Sequence, residues 1–169
     1  MTYNFDTVID RHGYSIKWDL FGPDVIPMWV ADMDFRSPEP VIQALHARVE
    51  HGTFGYFFDS KVLRDTLAER MGARYNWQVK PEELFFLPGL AYSLGVMCKL
   101  TGEPGSGVLM QTPVYHPFFQ APKNNNQAIH AAELVCVREN NGHIRYEVDF
   151  DVFERAITPE TRLFLMCNP

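Results

Sequence analysis

Four short apolar runs separated by helical stretches constrain this chain most: "ELFFLPG" (83–89), "GVLMQTP" (107–113), "IHAAELV" (129–135) and "RLFLMC" (162–167). A strand buried on both faces reads as a continuous apolar run, not as an alternation. Between the runs lie "LAYSLGVMCKLTG" (90–102), a helix closed by Gly102, and "VYHPFFQAPK" (114–123), a loop with a helical turn. "ENNG" (139–142) marks a turn, "HIRYEV" (143–148) an extended segment, and "DFDVFERAI" (149–157) a helix capped by Asp149. Strands alternating with helices predict crossover connections and an α/β fold: a parallel-rich sheet with flanking helices.

Two helices precede this region. "SPEPVIQALHARVEHG" (37–52) carries Ser37 as the expected N-cap, Pro38 and Glu39 in the first turn, and Gly52 past the end. Val41, Leu45 and Val49 stack one turn apart with Ile42 beside them, which predicts a buried face. "FGYFFDS" (54–60) reads as a turn-rich link. A second helix is expected over 60–74, with Val62, Leu63, Leu67 and Met71 inward. Residues 1–36 are dense in aromatics and turns, without a sustained period, and read as an extended arm with a short apolar piece at Val25–Val30. The expected organisation is an arm over 1–36 followed by a larger domain over 37–169.

Composition closes off several classes of function. The chain has 169 residues, 46% of them apolar, and a net charge of −6 with no basic run, so a nucleic-acid surface is not expected. The start, Met1 to Asp6, lacks the basic and apolar parts of a signal peptide, and no run is long enough for a membrane span. A cytoplasmic setting is the expectation. Cys98, Cys136 and Cys167 show no C-x-x-C spacing and read as reduced core residues; no metal site is expected.

In parallel sheets ligands sit beyond the carboxyl ends of the strands. "LPGLAYS", "QTPVYHPF" and "CNP" occupy such places. At Gly89, Leu90 and Ala91 a tight turn opens a helix whose first N–H groups are free, an arrangement that favours a phosphate. An ordinary strand-to-helix turn has the same signature, and neither a P-loop nor G-x-G-x-x-G is present. Pro113 and Pro117 bracket Tyr115 and His116. They either hold the Tyr115 ring over a pocket, where a flat cofactor would stack, or pack against it themselves. His116 is a candidate acid or base with no visible partner.

In order and spacing, "VIPMWVADMDF", "HGTFGY", "LPGLAYSL", "QTPVYHPFF" and "LFLMCNP" resemble one family over nearly the whole chain. That family is the pyridoxal-phosphate enzymes of aminotransferase fold type I, and within it the cystathionine β-lyase branch of MalY/PatB-type C–S lyases. The resemblance implies that the backbone amides of Leu90 and Ala91 hold the phosphate of pyridoxal 5'-phosphate and that Tyr115 stacks on its ring. Tyr56 is implied to reach the phosphate of a partner subunit in a homodimer, and Ala31 to line the carboxylate side of the substrate. The activity implied is β-elimination from cystathionine or another cysteine S-conjugate, giving a thiol, pyruvate and ammonia. An aminotransferase of class I/II and an inactive remnant are the alternatives.

Asn168 and Pro169 look like the first residues of the family's N-P-x-N-P-x-G motif. The asparagine, aspartate, lysine and arginine that complete such a site are then expected beyond Pro169, and Lys17, Lys61, Lys80, Lys99 and Lys123 have no context like that of the cofactor-bonding lysine. The chain reads as the N-terminal portion of a longer protein, with no catalytic residue of its own and no expected activity alone.

Overall fold

The structure, a computed structural model, describes residues 3–56 and 60–168. The chain divides into two units, one ending before Ser60 and one beginning there. Residues 57–59 of the expected link, and Pro169 of the terminal motif, lie outside the described residues.

In the first unit a single helical turn, α1 (Ile16–Asp19), is followed by α2 (Glu39–His51). The aperiodic arm gave no hint of α1. It forms because the Ser15 side chain caps it, accepting from the Lys17 amide at 3.3 Å. Helix α2 starts one residue later than its sequence suggested. Pro38, not Ser37, takes the N-cap position, and no side chain caps the helix; Gly52 ends it at φ 73°, donating to the Val49 carbonyl. The expected buried face is open: Val41, Leu45 and Val49 are 48%, 63% and 65% exposed. Periodicity reports an apolar stripe, and within the first unit no described residue covers this one.

The second unit begins with α3 (Lys61–Tyr75), capped by the Ser60 hydroxyl, which accepts from the Leu63 amide, and closed by Asn76 in the left-handed conformation. Leu67 and Met71 turn toward Trp77, Val79 and Leu84. Val62 and Leu63, expected inward, are exposed. A 3₁₀ turn (Pro81–Glu83) leads into the run 84–87. That run forms no ladder among the described residues, contrary to expectation. A strand needs a neighbour for its N–H and C=O groups. Here Arg64 substitutes in part, donating to the carbonyls of Pro81 at 2.8 Å and of Leu84, with its guanidinium over the Phe86 ring.

Helix α4 (Leu90–Thr101), β1 (Gly107–Thr112), α5 (Pro117–Asn124) and β2 (Ala128–Glu133) follow in the predicted order. Next comes a hairpin, β3 (Val135–Arg138) against β4 (Ile144–Glu147), turning at Gly142 (φ 84°). The extended β4 was expected; its partner β3 was not. The last elements are α6 (Phe150–Arg155), capped by Asp149 as predicted, and β5 (Thr161–Leu165). The main sheet is parallel, in the order β2-β1-β5, with Met110 opposite both Ala131 and Leu165.

The pleat of β1 sends alternate residues to opposite faces. Val108 and Met110 pack with Leu165 against Cys98 of α4 and Phe118 and Ala121 of α5. The other face carries Leu109, also buried, and on β5 Phe164, which meets the α6 residue Phe153 edge-on at 5.2 Å. This is the expected α/β arrangement, a parallel sheet with helices on both faces. Among the described residues no helix is long and apolar enough to cross a membrane, and no cluster of metal-ligating side chains occurs.

Candidate cofactor site

The orientation of α4 decides where its free amides lie. Gly102, at its end, crowds Ser106 and Gln127, which lead into β1 and β2, and the Gln127 amide donates to the Cys98 carbonyl at 2.8 Å. The start of α4 therefore lies toward the opposite, carboxyl end of the sheet, where ligands bind in folds of this class. Gly89 is its N-cap, at φ 155° and ψ 160°, with no side-chain cap and no acidic residue in the first turn. The first helical bond runs from the Ser93 amide to the Gly89 carbonyl at 3.0 Å, and the Ser93 hydroxyl donates to the same carbonyl at 2.8 Å. The amides of Leu90, Ala91 and Tyr92 thus have no acceptor among the described residues.

The exit of β1 faces the same end. Its chain turns through a cis Thr112–Pro113 bond, anchors Val114 on the core, and presents Tyr115 before α5 begins at Pro117. The Phe118 amide donates to the Tyr115 carbonyl at 3.0 Å, which fixes its backbone. The Tyr115 ring meets His116 edge-on at 4.8 Å and stays 57% exposed. The His116 ring makes no hydrogen bond among the described residues, while its carbonyl accepts from the Phe119 and Gln120 amides at 3.0 and 3.3 Å. Ala91 and Tyr92 share a groove of about 440 Å³ with Lys99, His116, Gln120 and Asn124. The turn at Leu90 and Ala91 is thereby brought beside the Tyr115–His116 loop.

These residues suit a phosphorylated aromatic cofactor. Donors without acceptors, an absent acidic competitor and open space around Gly89 leave room for an anion, and the neighbouring loop carries the exposed Tyr115 ring. Ala31 and Tyr56 belong to the first unit. Both are exposed, Tyr56 completely. Of the five lysines only Lys17 is buried, and its amine is already engaged: it donates to Asp34 Oδ2 at 2.5 Å and to the Asp32 carbonyl at 2.9 Å.

That engagement belongs to a cluster the sequence reading missed. Arg11, Ser15, Lys17 and Trp18 converge on Asp32 and Asp34. The Arg11 guanidinium, then the Ser15 hydroxyl, hold the Asp32 carboxyl below its ordinary range; Lys17 and the Trp18 indole do the same for Asp34. The available signal was the spacing of the carboxylates in "ADMDF", two residues apart and so on one side of an extended chain.

No family model matches the chain. Cystathionine β-lyase PatB of Bacillus subtilis is 40% identical over 173 residues, covering 98% of this chain and 43% of PatB. Cystalysin of Treponema denticola, whose crystal structure contains pyridoxal 5'-phosphate, superposes with a TM-score of 0.87 at 30% identity, covering 100% of this chain and 44% of cystalysin. The pyridoxal-phosphate-bound C–S lyase of Staphylococcus hominis superposes at 0.85 and 29% identity, covering 99% and 43%. Aminotransferases among the sequence relatives match at lower identity. The chain spans less than half the length of the relatives it matches. It is a homologue of the MalY/PatB-type cystathionine β-lyases and carries the N-terminal part of the pyridoxal-phosphate-dependent transferase fold on which these C–S lyases are built.

Proposed function

We propose that this chain supplies the phosphate-holding and ring-stacking portion of a pyridoxal-phosphate-dependent C–S β-lyase acting on cystathionine or a related cysteine S-conjugate. The observation that carries the reading is the open first turn of α4, with its acceptor-free amides, sharing a groove with His116 of the loop that also carries the exposed Tyr115. When bound, the cofactor supplies an electron sink for the elimination that releases a thiol. The amides of Leu90 and Ala91 hold its phosphate, aided by the positive end of the α4 dipole. Tyr115 orients its ring by stacking, and Ala31 lines the carboxylate side of the substrate. Tyr56, with its side chain fully exposed, is assigned to a partner subunit's phosphate in a homodimer.

The test has two stages. The chain is titrated with pyridoxal phosphate and with pyridoxal, and selective binding of the phosphorylated form is expected. A protein containing this chain is then assayed with cystathionine for thiol and pyruvate, with sedimentation reporting a dimer. Amino-group exchange with a keto acid and no thiol release would assign an aminotransferase instead; absence of both, with no cofactor bound, would refute the reading.

A further inference from the structure

An extended segment outside a sheet has no neighbouring strand to take its backbone acceptors. Residues 31–35 pair with no strand, yet their exposure alternates strictly. Ala31, Met33 and Phe35 are exposed, while Asp32 and Asp34 are half-buried. Side chains from residues 11–18 take the place of a neighbouring strand. Arg11 donates through one nitrogen to both carboxylate oxygens of Asp32, at 2.8 and 2.7 Å, and through the other to the Met33 carbonyl. Lys17 bridges the Asp32 carbonyl at 2.9 Å and the Asp34 carboxylate at 2.5 Å. The Trp18 indole donates to the other Asp34 oxygen at 2.8 Å, and the Ser15 hydroxyl donates to Asp32.

This arrangement is more than a surface ion pair. Ser15 and Lys17 are each 7% exposed, so the lysine charge is withdrawn from water and needs its acceptors. A helix of one turn is unstable alone. Here α1 is fixed at both levels, by the Ser15 cap and by the grip of Lys17 and Trp18 on Asp34. Two positive and two negative side chains thus tie one short helix to one extended segment, and each cation also binds a main-chain carbonyl of that segment.

We propose that Arg11 and Lys17 are positioning residues for the substrate-side segment: by each bridging a carboxylate and a backbone carbonyl of residues 32–34, they set the main chain at Ala31 and leave its exposed side free for an amino-acid carboxylate. This rests on the role given to Ala31 above. Arg11 reaches both Asp32 oxygens from one nitrogen and the Met33 carbonyl from another, a spread that the single ammonium of a lysine does not reproduce. Arg11→Lys should therefore retain the charge and lose part of the fixation.

Two readouts separate this claim from the cofactor reading. In the full chain, the Trp18 indole N–H, which donates to Asp34 at 2.8 Å, should exchange about tenfold or more faster in Arg11→Met or Lys17→Met, on the scale of one charge-assisted hydrogen bond. Arg11→Lys should fall between, and Val108–Met110 should not change. Unchanged exchange of the Trp18 indole overturns the proposal, as does equal acceleration in β1; if the methionine variants do not fold, Arg11→Lys alone decides it. The second readout compares pyridoxal phosphate with its reduced adduct to L-alanine, which adds a substrate carboxylate. The variants should lose about tenfold in affinity for the adduct and none for pyridoxal phosphate. Equal loss for both, or none for either, overturns the substrate-side role. If the parent chain binds neither compound, the cofactor reading fails and the substrate-side role with it, and exchange still decides the tether.

Discussion

Replacing Leu90 with proline removes one N–H group and little else. Leu90 is the first residue of α4, where proline's fixed φ suits the helix and the missing N–H breaks no helical bond. The Leu90 side chain is 86% exposed, so no core contact is lost. Gly89 has ψ 160°, the extended range that a residue before proline prefers. The variant should therefore fold as the parent does and differ only in the phosphate cradle. A hydrogen bond to a charged acceptor contributes about 1.5–3 kcal/mol. Since this turn is open to water, the lower end applies, and about 1.5 kcal/mol corresponds to roughly a tenfold loss of affinity. The assay is a pair of fluorescence titrations, with pyridoxal phosphate and with pyridoxal, alongside circular dichroism and a melting curve. Leu90→Pro should bind pyridoxal phosphate about tenfold more weakly and pyridoxal as before. Unchanged affinity for the phosphorylated form in a fully folded variant would show that the Leu90 amide does not hold the phosphate.

Tyr115→Ala should weaken pyridoxal phosphate and pyridoxal alike, by about 1 kcal/mol of lost stacking, with Tyr115→Phe near the parent in the same titrations. Met110→Ala should cost about 2–5 kcal/mol in urea unfolding, because Met110 is wholly buried between β1 and the α4–α5 layer. Gly107→Ala would place a Cβ 2.3 Å from Cε1 of His130, so its melting temperature should fall, and His130→Ala in the same chain should recover part of the loss. Asp32 and Asp34 titrate below the ordinary 3.8 in the folded chain, so the stability they confer is complete above that value and lost as pH falls through their depressed values. The indole N–H resonance of Trp18, followed by NMR, should report release of Asp34 in that acid range, and Asp34→Ala, which leaves the indole no acceptor at this position, should show the released position already at neutral pH.

Most elements whose cause is local were legible in the sequence, α1 with its Ser15 cap excepted. The cap of Asp149, the stops at Gly52 and Gly102, and the apolar runs of β1, β2 and β5 each carry their signal within a few residues. The turn at Gly89 belongs to the same class, since helix geometry alone frees its amides. What failed to show depended on partners distant in the sequence. The run 84–87 has the composition of a strand, but composition does not supply the neighbour that makes one. Helix α2 has a good apolar stripe, and nothing in "VIQALHARV" states what covers it. The tether between residues 11–18 and 32–34 is a set of charged side chains in an aperiodic stretch, and only the fold brings Arg11 to Asp32. Tyr56 and Ala31 carried no signal of their own; the resemblance alone singled them out.

The sheet order β2-β1-β5 also sets a timetable for folding. Strand β2 reaches β1 through the single short crossover of α5, while β5 must return from beyond the hairpin and α6 to bring Thr161 beside Gly107. Pairings distant in sequence form later and more slowly than near ones. As the chain is synthesised, β1, α5 and β2 can assemble first, with one side of β1 bare until Thr161 and Leu165 arrive. In that interval the unpaired edge of β1, flanked by Val108 and Met110, is a template for any other extended chain. The strand that becomes the most enclosed in the finished sheet is thus the one most exposed to mispairing during birth, and this is the stage at which a chaperone would have most effect.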